Sequence, residues 1–153
     1  MTLQVTSPAF SDNGAIPKQF TCDGQNIAPP LQWSGVPQKS KSIAVICDDP
    51  DAPSGTFTHW VLYDIPPSMH ALSERAAIGT AGVNSFGEMG FGGPCPPAKD
   101  DAHHYHFHVY ALDVDSIGPA GLSKEDALKA MKGHILAEGD LVGTYKRASP
   151  SHG

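Results

Sequence analysis

Short stretches with a period of two carry the hydrophobic pattern of this chain, and only one stretch has a helical period. Residues 42–48 contain the continuous apolar run Ile43-Ala44-Val45-Ile46-Cys47, which predicts a strand buried on both faces. Around residues 104–112, Tyr105, Phe107, Val109 and Ala111 alternate with His104, His106, His108, Tyr110 and Leu112. One face of that strand is apolar and the other mixed. Residues 58–65 are rich in β-branched and aromatic side chains and predict a third strand, stopped by Pro66-Pro67. Leu3 and Val5 alternate with polar neighbours as in a short edge strand. Pro17 makes the segment 16–22 an edge or a bulge. Residues 26–37 are proline-rich and read as irregular, with Trp33 packed inward. The glycine-rich segment 71–93 reads as loops with at most one short strand.

The helical period comes late. Ser123 and Asp126 form a capping-box-like start with Glu125 in the first turn. Leu128, Met131, Ile135 and Leu136 then recur at helical spacing. Gly133 inside this stretch weakens a helix by about 1 kcal/mol relative to alanine, and Gly139 is the expected terminator. Residues 141–146 return as a last strand, and 148–153 form a loose tail. Several short strands with one late helix predict a mainly β fold, a β-sandwich.

Composition narrows the function. The 153 residues predict one domain, 1–153, with a core that needs no staples. The 16 glycines and 14 prolines favour short elements and firm turns. A net charge of −6 without a basic patch argues against nucleic acid and against docking on an anionic bilayer. Lys39 and Lys41 make only a solvated turn. No signal-like pattern and no apolar run of membrane-spanning length is present, so a cytoplasmic location and no stable membrane insertion are expected. Cys22, Cys47 and Cys95 are few, odd in number and far apart. That predicts free thiols in a reducing compartment.

The chemistry concentrates in two rigid blocks. Asp48-Asp49-Pro50-Asp51-Ala52-Pro53 is followed by His59-Trp60. Its prolines fix φ, remove donors and push Asp49 and Ala52 toward extended backbone, so the loop aims its carboxylates in set directions. Gly92-Gly93-Pro94-Cys95-Pro96-Pro97 leads into His103-His104-Tyr105-His106-Phe107-His108. The strand period places His103 on the face of Tyr105 and Phe107, where a histidine must find a partner or lose its charge. Asp49 or Asp51 is the expected partner. From the residues alone, a ligand site and a satisfied polar network weigh about evenly.

These blocks, in this order, resemble the phosphatidylethanolamine-binding protein family, also called Raf kinase inhibitor-like proteins. The resemblance extends to Phe20-Thr21-Cys22-Asp23-Gly24, Pro29-Pro30-Leu31, Trp33, Gly133-His134-Ile135-Leu136-Ala137 and Gly143-Thr144-Tyr145, which look like the prokaryotic branch. It departs at one motif. The family's usual Gly-x-His-Arg-Tyr is here Asp101-Ala102-His103-His104-Tyr105. The resemblance implies two antiparallel sheets in a Greek key with peripheral helices. It implies a pocket for a small phosphorylated or zwitterionic ligand, such as phosphorylethanolamine, and a non-catalytic role without cofactor or metal. The site residues it implies are Asp49, Asp51, His59, His103 and Tyr105, with Gly93, Pro94, Cys95, Pro96 and Pro97 as the wall. It further implies a kinase or protease target and a homodimer.

Other readings compete. His104, standing for the usual arginine, either faces solvent or ties down an aspartate of the first block. His104, His106 and His108 lie on one strand face about 6.5–7 Å apart. They raise the alternative of a metal-dependent hydrolase with Asp49 or Asp51 as base, against a half-exposed face that meets a neighbour. Cys95 lacks the basic neighbours of an activated nucleophile. No Gly-x-Ser-x-Gly is present. The glycine-rich run 87–93 lacks the lysine of a phosphate loop.

Overall fold

A computed structural model describes residues 2–53, 55–74 and 78–147; the tail 148–153, expected to be loose, lies outside the described residues. In chain order the elements are β1 (Gln4–Thr6), β2 (Gly14–Ala15), a 3-10 turn (Lys18–Phe20), β3 (Leu31–Ser34), β4 (Ser42–Asp49), β5 (Phe57–Ile65), β6 (Ala71–Leu72), β7 (Thr80–Ala81), β8 (His103–Leu112), α1 (Lys124–Met131) and β9 (Ile135–Tyr145). The described residues form a mainly β fold, with one α-helix and two open sheets. The larger sheet has the order β2-β9-β8-β4-β5-β7 and the smaller β1-β3-β6. Every pair is antiparallel except β2 with β9.

The continuous apolar run in β4 follows from its central place, because it needs a covered surface on both sides. Val45 and Cys47 face the small sheet, in one core with Leu31, Trp33, Tyr105, Phe107 and Val109. Ala44 and Ile46 face outward into a second core with Val61, Tyr63, Leu112 and the helix residues Ala127 and Met131. The alternation in β8 divides the same way: Tyr105, Phe107, Val109 and Ala111 join the first core, and Tyr110 and Leu112 the second.

Several local expectations are corrected. The helix is capped as read, with Ser123 Oγ accepting from Asp126 N at 3.1 Å, but it ends at Met131. Lys132 leaves helical geometry and Gly133 adopts φ +85°, so Ile135 and Leu136 open β9 instead of continuing the apolar stripe. Gly139 sits inside β9 opposite Val109. Residues 31–34 form a strand, not an irregular segment, with Leu31 and Trp33 inward. Segment 16–22 contains the 3-10 turn, and 71–93 contains two two-residue strands. No helix among the described residues is long and apolar enough to cross a membrane.

The cysteines are not all free. Cys22 and Cys95 form a disulfide across 73 residues of sequence, with Cα atoms 5.4 Å apart, and only Cys47 remains a free, buried thiol. The loop 92–97 lies against residues 20–24: Cys22 N donates to Pro94 O at 3.1 Å. A Cβ on Gly93 would come within 2.6 Å of Phe20 O. Spacing in sequence carries no trace of that approach. The cysteines therefore no longer argue for a reducing compartment.

Candidate functional site

The site forms where the ends of three strands meet. β4 ends on Asp48 and Asp49, β8 begins on His103, and β5 brings His59. Strand alternation alone would put His59 on the face opposite Trp60. A register shift prevents this: Cys47 pairs with Trp60, while Asp48 pairs with Thr58. His59 is the extra residue of this bulge and is turned inward.

A cavity of about 200 Å³ opens here. Its polar floor is Asp49, His59, His103 and Tyr105; its walls are Ala52, Pro53, Phe57, Phe86, Cys95, Pro96 and Pro97. Of the expected site residues, Gly93 and Pro94 are buried behind the wall. Asp51 is exposed and does not line the cavity.

His103 is the centre of a buried charge network. Its Nδ1 lies 2.6 Å from Asp49 Oδ2 and its Nε2 2.9 Å from Asp100 Oδ2. Burial by itself would lower its pKa, but the bonds to Asp49 and Asp100 outweigh that and raise it. With a carboxylate at each nitrogen, both ring N–H groups are committed as donors. Asp49 is equally occupied, since its Oδ1 accepts from Asp51 N at 2.8 Å. Asp51 Oδ2 in turn accepts from His104 N and from His104 Nδ1, both at 2.8 Å. The His104 bond holds the Asp51 carboxyl below the usual range, against some desolvation. His104 thus ties the first block down, although half of its side chain is exposed.

Two polar residues that line the cavity, His59 and Tyr105, are not committed to this network. His59 Nδ1 donates to Gly92 O at 2.7 Å. Burial lowers its pKa, opposed by that carbonyl and by Asp49. The ring is therefore neutral near pH 7 and carries its lone pair on Nε2. It packs against Tyr105, Phe57 and Phe86 with ring centroids 5.2, 4.9 and 5.7 Å away. The Tyr105 hydroxyl is buried and has no hydrogen-bond partner among the described residues. Burial and the nearby Asp49 charge raise its pKa far above the usual value, so it stays a neutral O–H donor. A buried hydroxyl without a partner costs about 1–3 kcal/mol.

The other histidines stand apart. On the outer face His108 Nε2 lies 3.4 Å from Asp48 Oδ1, whose other oxygen accepts from Lys124 Nζ at 2.6 Å. His106 and His108 stack at 5.8 Å, and His106 is 3.8 Å from Asp140. Among the described residues no three ligand-type side chains converge as a metal site would require. The sequence reading missed Asp100, Phe57 and Phe86. The only available signal was an acid three residues before His103.

A two-sheet β protein with a small, largely apolar cavity at the strand ends defines the class. Residues 6–146 match the sequence profile of the phosphatidylethanolamine-binding protein family. A UPF0098 protein of Methanothermobacter thermautotrophicus is 49% identical over 95% of this chain and 99% of its own. Another from Aquifex aeolicus is 46% identical over 95% and 89%. Two crystal structures are similar. The Chlamydia trachomatis homolog CT736 has TM-score 0.90, 43% identity and coverage of 95% and 98%. Escherichia coli YbcL, described as a member of the mammalian PEBP family, has TM-score 0.89, 32% identity and coverage of 96% and 99%. The chain belongs to the phosphatidylethanolamine-binding protein family.

Proposed function

We propose that this is a non-catalytic binding protein whose cavity takes a small phosphate-type anion, free or as the head of a phosphorylated or zwitterionic ligand. The observation that carries the reading is the buried Tyr105 hydroxyl, without a partner among the described residues, on a ring packed against His59. The hydroxyl donates to a phosphoryl oxygen, and His59 Nε2 accepts from a P–OH group. Repulsion by Asp49 is muted, because both its oxygens are already bonded to His103 and to Asp51 N. A non-catalytic role is supported by the same arrangement: His103 has no free nitrogen to act as a base, and Cys95 is tied in a disulfide. Control of a kinase or protease by a homodimer is supported by the family alone.

Calorimetric titration of inorganic phosphate and of phosphorylethanolamine at pH 7 tests this. One saturable site is expected, with Tyr105→Phe weakening it by roughly 10- to 100-fold, the worth of a hydrogen bond to a charged group. Absence of saturable heat with both ligands would overturn the reading. Equal affinity for the two would show that the ammonium group adds nothing, as the occupied carboxylates of Asp49 and Asp51 imply.

A further inference from the structure

We propose that the Cys22–Cys95 bridge is a thiol-exchange site that controls the pocket wall, with a small thiol or a protein dithiol as its reaction partner. Its effect on ligand binding rests on the anion reading above; the exchange itself does not.

Three observations carry this. Cys95 is exposed and lines the cavity, which puts the bridge at the surface. The one other thiol, Cys47, is fully buried in β4, where burial raises its pKa further. An attacking thiolate must therefore come from outside. Finally, the bridge is the one covalent or hydrogen-bonded tie of residues 95–99 to another element among the described residues. Up to Pro94 the loop is pinned by hydrogen bonds: Gly92 N donates to His59 O at 2.8 Å, Gly93 N to Asn26 Oδ1 at 2.7 Å, and Cys22 N to Pro94 O at 3.1 Å. Among the described residues no hydrogen bond joins 95–99 to another element. Pro96 and Pro97 have no N–H to offer. Directly beyond lies Asp100, which braces His103.

The chemistry balances. An external thiolate attacks Cys95 Sγ, the S–S bond breaks, and the electron pair leaves on Cys22 Sγ, which takes a proton from water. The product is a mixed disulfide on Cys95, placed in the wall of a cavity of about 200 Å³. A second thiolate attacks the external sulfur of this adduct. It releases the oxidised thiol as a disulfide and leaves Cys95 to be protonated. Two thiols supply the two electrons and two protons, and an external disulfide runs the sequence backwards. The adduct narrows the cavity, and the dithiol state frees the wall.

The test uses the whole native chain with reduced glutathione, followed by dithiothreitol. Intact mass and peptide mapping are expected to show one glutathione on Cys95, and none on Cys47 until denaturant is added. Hydrogen exchange at Asp100 N, which donates to Pro97 O at 3.0 Å, is expected to rise by about tenfold or more on reduction and to recover on reoxidation. Phosphate affinity should fall in the adduct by a similar factor. Cys22→Ser, with Cys95 left free, should trap the adduct; if that variant fails to fold, the reduced wild-type chain gives the same readouts. A bridge that resists dithiothreitol in native buffer would sink the proposal, as would unchanged exchange at Asp100 N after reduction. Raised exchange with no phosphate binding in either state would support the exchange site while removing the anion reading. Equal phosphate binding in both states with unchanged exchange would do the reverse.

Discussion

His103 sets the charge balance of the pocket, and two predictions follow from its bonds. Removing it leaves Asp49, itself nearly fully buried, without its counter-charge. His103→Gln is therefore expected to cost about 3–5 kcal/mol of stability, measured by denaturant unfolding. Its pKa is raised above the unfolded value of about 6.5, because the two aspartates outweigh burial. Its contribution is thus fully present below about pH 6.5 and is lost as pH rises from there through the higher folded pKa. His59 has the opposite sign. Burial lowers its pKa, so its contribution is present above about pH 6.5 and is lost as pH falls through the lower folded pKa. Unfolding free energy should decline on the alkaline side in the wild type, and that decline should vanish in His103→Gln. Its persistence would assign it to another group. Asp49, His59, His103 and Tyr105 were legible because unusual residues stand in rigid, recognisable blocks. Asp100 was not, because an acid in a polar loop looks solvated. Only the turn closed by Asp100 N to Pro97 O at 3.0 Å brings it back onto His103.

At the scale of elements, the strong periods were read correctly and their limits were not. The buried run of β4 and the alternation of β8 survive because each covered face demands apolar side chains at fixed positions. The late helix failed at its end. Leu128, Met131, Ile135 and Leu136 satisfy a helical period, yet Gly133 takes the left-handed conformation and the chain reverses into β9. A Cβ at Gly133 would meet nothing within 4 Å, so only backbone strain opposes a side chain there. Gly133→Ala is accordingly expected to destabilise by about 1–2 kcal/mol without any gain in far-ultraviolet helical signal. A gain in helix would show that glycine alone had stopped α1. The bulge that turns His59 inward is likewise absent from the sequence pattern, since alternation is broken only by the partner strand's register.

For the whole molecule, the disulfide is the largest single departure from the sequence reading. It closes a loop of 73 residues in sequence separation. Chain entropy assigns that closure about 4 kcal/mol. Cys22→Ala with Cys95→Ala should lose up to that amount in unfolding free energy, measured under non-reducing conditions, and added reductant should then have no further effect. A loss that reductant deepens would mean that Cys47 or another group responds. The sequence by itself determined the mainly β fold, the central strands and most of the pocket's polar floor. Periodicity and rigid proline blocks act locally, and the family resemblance covers nearly the whole chain. The tertiary structure decided which cysteines meet, where the last helix yields to a strand, and which way His59 points. It also decided that His103 is fully bonded while the Tyr105 hydroxyl has no hydrogen-bond partner among the described residues. Each of these depends on contacts between segments far apart in the chain, whose approach is set by packing two sheets and a helix around shared cores.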